Sequence, residues 1–513
     1  MITVEVISNR LRMAAELMGE ILVKSSFSAN IKERRDCSTA IFDGKGRLVI
    51  QAEHIPLHLG SMIGVVREIL KRYSNNINKG DVFISNDPYS GGTHLPDVTV
   101  VTPFFIGNKI VNFTANIAHH SDIGGSQPGG IAGDTKTIYE EGLRIPPVKL
   151  VEKGYMDSNL LNFIILNCRI PEERNTDIRA QIATNNKGLS YLADIYKTYG
   201  EFTVKSSMEE LLAYSERRLR SRIKAIPNGK YFFEDKLDDD GVLNKNIPIK
   251  VCVKVSNKGL EIDFSGTGAQ SKGAINVVWS ALTATIYYVI KAFIDPGLPT
   301  NAGIENLLDI KLPEASIVNP DEPAAVGART DTCQRIAGTI IGALNKAIPE
   351  KAVAGSNDAS TAVVFSKENK FVYVEAVGGG SGASGLSNGM NGVQVHVTNT
   401  SNLPIESLEN EFPLRIEKYE YIPGSGGKGK FKGGLGLIRK VRVLEDDILF
   451  SSHGDRHKIP PWGWNGGKEG KPGGFKLNDT KTLPSKNSGL RLKENDVITI
   501  KTPGGGGFGD QRS

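Results

Sequence analysis

Three runs rich in β-branched and aromatic residues follow one another between residues 81 and 120: DVFISND, DVTVVTPFF and KIVNFTANIAHH. Such runs read as strands. The first two flank NDPYSGGTHLPD (86–97), a stiff connection with two prolines, two adjacent glycines, Asp87, His94 and Asp97. The third runs into AHHSDIGG (118–125). Three of the chain's eight histidines therefore sit at strand ends, where a rigid sheet positions loop side chains.

A divalent metal needs imidazole or carboxylate ligands held in fixed directions. His94 and Asp97 are three apart, with Pro96 stiffening the link and SGG before them allowing a tight turn. His119 and His120 close the third run. Adjacent strand residues point to opposite faces, so one of the pair shares a site with His94 and Asp97, and spacing does not say which. Aspartate and histidine in such loops also serve as turn formers and hydrogen-bonding groups. Nucleophile candidates are weaker. The GSGG at 424–427 is not a GxSxG strand–helix turn, and Cys37 has no histidine base nearby in sequence. No GxxxxGK[ST] phosphate cradle occurs.

The rest of the chain reads as α+β. Apolar spacing predicts a helix over 4–28, a hairpin over 37–51 around DGKG, and a helix over 59–74 with Ser61 as a candidate cap. Residues 1–150 form an N-terminal α+β region, a helix-covered sheet of mixed or antiparallel strands that carries the metal-site residues. A helical segment (151–228) follows, then an α+β region (229–350) with a β meander and helices near 276–293 and 331–347. The last region (351–513) is glycine-rich and mostly β. Glycine makes up 57 of the 513 residues, well above the usual ~7%, so many backbone positions need positive φ or close approach.

Hydrophobic content is 39%, charged content 23% and formal net charge +5, ordinary values for a globular protein. Acids and bases are interspersed, and the basic GKGKFKGG (427–434) reads as a solvated hairpin region, so nucleic acid is not expected as a partner. No run nears the ~18 apolar residues of a membrane span. The N-terminus lacks a signal-peptide layout, and a cytoplasmic location is expected. The four cysteines are widely spaced with no CxxC pair, which argues against a zinc ribbon or a disulfide framework.

ERRDCSTAIFD, NDPYSGGTHLPD, AHHSDIGG, IYEEGLRIPPVKL, IDFSGTG, HVTNTSNLPIESLE, GGLGLIRKVRV and TPGGGGFGD occur in that order from residue 33 to residue 510. Together they resemble the hydantoinase B family nearly end to end. That family includes the B component of ATP-dependent N-methylhydantoinase, the matching half of 5-oxoprolinase, caprolactamase, and the large subunits of acetone and acetophenone carboxylases. The resemblance implies a metal (zinc, manganese or iron) held by Asp36, His94, Asp97 and His119, which favours His119 over His120. It also implies a hetero-oligomer with a hydantoinase A-type, actin-like ATPase that phosphorylates the amide or ketone oxygen, so ATP is used by the partner. The expected activity is hydrolysis of a small cyclic amide, of the N-methylhydantoinase or 5-oxoprolinase type. Acetone carboxylase large subunits are considerably longer than this chain, which favours the hydrolase branch. The alternatives are a subunit of an ATP-dependent ketone carboxylase and a structural assembly subunit. His120, Asp122 and Glu53 are candidates for general base or for orienting the ligands. One departure is LSNGMNG (386–392), where Asn388 and Asn391 stand in place of aspartates common in relatives.

Overall fold

The computed structural model describes residues 2–511, and the side chain of Glu53 lies outside the described residues. Helix accounts for 32% and strand for 27%, the α+β content the sequence implies.

The first sheet has seven antiparallel strands, in the spatial order Leu48–Glu53, Cys37–Asp43, Lys109–His119, Asp97–Ile106, Val82–Ser85, Val148–Glu152 and Tyr155–Met156. The expected hairpin at 37–51 and the three runs of 81–120 are all in it. Two long helices, Ile2–Ser25 and Pro171–Tyr199, cross one face. The first buries Ile7, Leu11, Ala14, Ala15, Met18 and Leu22. The second begins on Pro171, whose missing N–H costs nothing at a helix start, and ends before Gly200 (φ +76). Its inward face sets buried amides among aliphatic residues. Gln181 Nε2 donates to Val98 O (2.8 Å), Asn185 Nδ2 donates to Val100 O (2.9 Å), and Asn116 Nδ2 donates to Asn185 Oδ1 (2.8 Å). Buried amides need partners, and these fix the helix in register across two strands. Gly188 lets the helices meet, since a Cβ there would lie 2.4 Å from Met18 Sδ.

Helix Met62–Arg72 packs against the other face. Ser61 does not cap it through its side chain; its hydroxyl donates to His58 O instead, because the preceding turn (Pro56–His58) offers a closer acceptor.

A second sheet of four strands, Gly229–Leu237, Ile247–Ser256, Gly259–Asp263 and Leu308–Lys311, is antiparallel except for its last pair. Helix Arg329–Ala347 lies on it, buried almost all round. The strand-rich end of the chain forms two further antiparallel sheets. One orders Phe371–Val377, Thr361–Lys367, Ile448–His453 and Lys486–Leu492; the other contains Leu414–Tyr421, Leu437–Val443, Val497–Lys501, Gly474–Leu477 and Lys481–Leu483. One apolar core joins the first two sheets and a separate one lies under the last two. Among the described residues no helix is long and apolar enough to cross a membrane.

Close approach accounts for much of the glycine. Around 378–392, 424–436 and 502–509 the backbones stack against one another: Gly505 N donates to Gly434 O (2.9 Å), and Gly434 N donates to Ser381 O (2.9 Å). A Cβ on Gly505 would lie 1.9 Å from Ser381 O. The backbone has to move to admit it, and Gly505→Ala is expected to destabilise by about 3 kcal/mol, the upper range for overpacking. Gly385→Ala, whose Cβ would meet only Phe508 at 3.4 Å, is expected to stay within about 0.5 kcal/mol. Thermal melts of the two variants check this, and equal melting temperatures would contradict it.

Candidate metal centre

Three strand ends meet at one edge of the seven-stranded sheet. Asp97 opens its strand and His119 closes the neighbouring one, and the antiparallel register sets them directly opposite. Just before the next strand, Cys37–Asp43, Asp36 O accepts from His119 N (2.9 Å). His94 arrives from the loop. That loop is held by Asn86, whose Nδ2 donates to Leu95 O (2.8 Å) and Leu143 O (3.0 Å). Asp87 caps the short turn Pro88–Ser90 by accepting from Tyr89 N. Gly91 (φ +95) passes so close to Gly64 that a Cβ would lie 2.3 Å from its carbonyl carbon. The glycines and prolines of NDPYSGGTHLPD thus shape a rigid arm for one imidazole.

One ligand atom from each of His94, Asp97 and His119 lies within 4.8 Å of the others, and all three residues are buried. His94 Nε2 is 3.1 Å from Asp97 Oδ1, yet neither ring nitrogen of His94 makes a well-aligned hydrogen bond. Burial pushes the His94 imidazole down, and it pushes His119 well below the usual range, so both are neutral at neutral pH. Burial alone would raise the Asp97 carboxyl. His94 and the Arg329 guanidinium outweigh it and hold Asp97 well below the usual carboxylate range. Two imidazoles that burial keeps neutral and one carboxylate converge here, with both His94 nitrogens free of hydrogen bonds, and such a set fits a divalent ion.

The remaining expected residues fall in different places. Asp36 lines the same chamber but stands outside the three-residue cluster; burial pushes its carboxyl up to about 7, against the pull of Arg34. His120 turns to the opposite face, with Nε2 3.0 Å from Gln181 Oε1, and does not line the chamber. Asp122 accepts from Arg169 Nη1 (2.8 Å), Arg169 N (2.7 Å) and Gly124 N (3.2 Å), an anchor for the turn beyond the sheet. Glu53 pairs with Ser38 in the strand ladder. Asn388 Oδ1 and Asn391 Oδ1 accept backbone N–H bonds from Lys432 and Leu435 (both 2.8 Å), away from the chamber.

The chamber has a volume of about 70 Å³. Its walls hold residues that spacing arguments did not find. Arg329 Nη2 donates to Asp97 Oδ2 (2.6 Å). His58 sits with Nδ1 3.1 Å from Ser38 Oγ and Nε2 4.0 Å from Asp97 Oδ1, and burial pushes it down to about 4. Arg34 Nη1 donates to Asn30 Oδ1 (2.9 Å), and Asn30 Nδ2 is 3.3 Å from His119 Nδ1. The opposite wall comes from the C-terminal sheet, with Ala362, Val374, Glu375, Ala376 and His453. These approach from far along the chain and leave little local signature.

The Hydantoinase B/oxoprolinase family matches residues 1–511. An uncharacterized protein of Methanocaldococcus jannaschii is 41% identical over 99% of this chain and 90% of its own length. A Pseudomonas protein provisionally named as the B component of a D-/L-hydantoinase is 33% identical over 99% of this chain and 90% of its own length. The 5-oxoprolinase 1 of Arabidopsis thaliana is also 33% identical over 99% of this chain, which spans only 42% of that longer relative. The crystal structure of ATP-dependent caprolactamase from Pseudomonas jessenii matches with a TM-score of 0.93 at 26% identity, over 99% of this chain and 91% of that one. Nucleotide-free acetone carboxylase matches with a TM-score of 0.92 over 99% of this chain and 76% of that one. At 18% identity that likeness is one of fold.

The cluster makes a direct prediction. His94→Ala removes a donor from a loop fixed by other bonds, so the chain is expected to stay folded by circular dichroism while losing most of its divalent metal. Elemental analysis of purified wild type and variant checks this, and equal metal content would contradict it.

Proposed function

The chain belongs to the hydantoinase B/oxoprolinase family, and we propose that it is the ring-opening component of an ATP-dependent cyclic amidase. The observation that carries this reading is the buried His94–Asp97–His119 cluster at the wall of a small chamber. Support comes from likeness to a protein named as the B component of a hydantoinase and to an ATP-dependent caprolactamase. The sequence carries no Walker-type phosphate cradle. We therefore assign the ATP step to an actin-like ATPase of the hydantoinase A type, working in a cytoplasmic hetero-oligomer with this chain.

An unstrained amide is a poor electrophile and its oxygen a poor leaving group. Phosphorylating that oxygen on the partner corrects both faults, and this chain then acts on the activated species. His94, Asp97 and His119, with Asp36 beside them, would hold zinc, manganese or iron(II). A bound divalent ion supplies Lewis acidity and brings the pKa of water towards about 7. The protein's own groups do the rest. Arg329 spends one arm on Asp97, while its Nε and Nη1 are buried without hydrogen-bond partners. Those N–H groups are placed to receive the negative charge that grows on the amide or phosphoryl oxygens, in a site where such charge is poorly solvated otherwise. Ile55, Leu57, Ile131 and Val397 line the chamber and keep bulk water from the activated amide.

Three outcomes are expected of the complex with its ATPase partner. Ring opening of 5-oxoproline or hydantoin, read by chromatography, requires both ATP and this chain. The isolated chain shows no micromolar ATP binding by calorimetry. An assembled His119→Ala complex opens the ring at least about 100-fold more slowly, the scale on which one lost electrostatic contact acts, while the partner retains some ATP hydrolysis. Ring opening at the wild-type rate by that variant would leave the cluster a structural feature. Fixation of carbon-14 bicarbonate into a ketone, with no cyclic amide opened, would replace the amidase by a carboxylase.

A further inference from the structure

Two imidazoles in the chamber, His58 and His453, are not used by the reading above. His453 ends the strand Ile448–His453 on the wall facing the metal cluster, 2% exposed and lining the chamber. Its Nδ1 is 2.9 Å from Asp331 Oδ2. Asp331 is itself buried in the first turn of helix Arg329–Ala347, and its other oxygen accepts from Ser360 N (3.0 Å). Asp331 has a lowered pKa: His453, with Lys486 and the Ser360 N–H, outweighs burial. A carboxylate accepting at Nδ1 selects the tautomer with hydrogen on Nδ1 and a lone pair on Nε2. No hydrogen bond to Nε2 is seen among the described residues, and that nitrogen is not one of the fully enclosed, unpartnered atoms.

We propose that His453, oriented by Asp331, is the proton carrier of the ring-opening step; this rests on the amidase reading. The chemistry calls for one. In the activated amide the carbon bears the phosphoryl-oxygen group and is doubly bonded to the ring nitrogen. Water adds to that carbon, forming a C–O bond. The C–N bond then breaks with its electron pair going to nitrogen. Both protons of the water end on the departing nitrogen as an amine, and an acyl phosphate remains. A second water converts that acyl phosphate to carboxylate and phosphate. Each proton leaves an oxygen and arrives on a nitrogen, and Nε2 of His453 takes and returns it. Protonating Nε2 creates an imidazolium beside the Asp331 carboxylate, and that pair offsets the cost of a buried cation. Lys486, opposite His453 in the neighbouring strand, puts its ammonium on Gly454 O (3.0 Å) and towards Asp455.

The other free imidazole is less suited. His58 has only the Ser38 hydroxyl behind its Nδ1, and its Nε2 faces Asp97. That carboxylate stands 4.0 Å off, beyond hydrogen-bond reach, so none fixes the tautomer of His58 from behind.

The test uses the assembled complex with ATP, and 5-oxoproline or hydantoin, whichever the wild type opens. H453N keeps an amide N–H for Asp331 but has no Nε2; H453A removes the ring. Both are expected to assemble by size exclusion, keep wild-type metal content by elemental analysis and retain ATP hydrolysis, while ring opening falls about 10²–10⁴-fold, the range for general acid–base groups. Added imidazole should restore part of the H453A rate and none of the His119→Ala rate. D331N, a positioning change, should lower kcat with KM little altered. H453N opening the ring within threefold of wild type would overturn the proposal. So would loss of metal or of assembly in both variants, which would make His453 structural. If the wild-type complex opens no ring, the amidase reading itself has failed, an outcome distinct from a wild type and an H453N that open it equally.

Discussion

The buried ion pair between Arg329 and Asp97 is the joint on which this architecture turns. Taking two charges out of water costs several kcal/mol each, and only close geometry and further hydrogen bonds offset that. Both are present: the pair is 2.6 Å apart, and Thr93 adds its hydroxyl to the same carboxylate oxygen. Removing one partner would strand the other charge at a cost of about 3–5 kcal/mol. The helix that carries Arg329 continues the pattern. Asp331 reaches His453, Gln334 Nε2 donates to Val395 O (3.0 Å), and Arg335 Nη2 donates to Asp455 Oδ1 (2.7 Å). Within two turns one helix touches the metal-site sheet, the sheet it lies on and the C-terminal sheets.

Its approach is held from below. Glu141 Oε1 accepts from Val326 N (2.9 Å) and Gly327 N (2.6 Å), setting the turn that delivers Arg329. Burial pushes this carboxyl up to about 8, against those same hydrogen bonds. Elsewhere in the C-terminal region the glycine stacks form a layer of backbone on backbone. Glycine gives up chain entropy for this. In return the hydrogen bonds run between main-chain groups that no side chain can displace.

How much of this was legible in the sequence follows from what each feature depends on. His94, Asp97 and His119 come from a local pattern, strand ends beside a stiff loop, and local patterns survive folding because chain geometry dictates them. The strand-face alternation that left His119 and His120 undecided is the same property that separates them in space: His120 meets Gln181 on the helix behind the sheet. Asp36 entered only through family resemblance, since its proximity depends on the pairing of Cys37 with Ala118. His58, Arg329, Asp331 and His453 were illegible because they meet through contacts more than a hundred residues apart or through turns without a fixed signature. Ser61 shows the opposite error: a sound local rule lost to a nearer acceptor.

The two walls of the chamber carry different chemistry, and this explains why so many charges are buried to join them. The N-terminal wall holds imidazoles that burial keeps neutral, ready to donate lone pairs. The C-terminal wall holds an imidazole backed by the Asp331 carboxylate. The first arrangement buries imidazoles that are to stay neutral and the second sets an imidazole against a carboxylate, so one environment could not serve both. Separate walls solve that, but they demand registration, because a misplacement of about 1 Å between reacting groups can cost 100-fold in rate. Apolar contact is too permissive for that tolerance, since hydrophobic packing is non-directional. Directional pairs are not: Arg329 with Asp97 fixes the helix to one wall, and Asp331 with His453 fixes it to the other, two residues further on. The spacing between the walls is thereby set by a single turn of one buried helix.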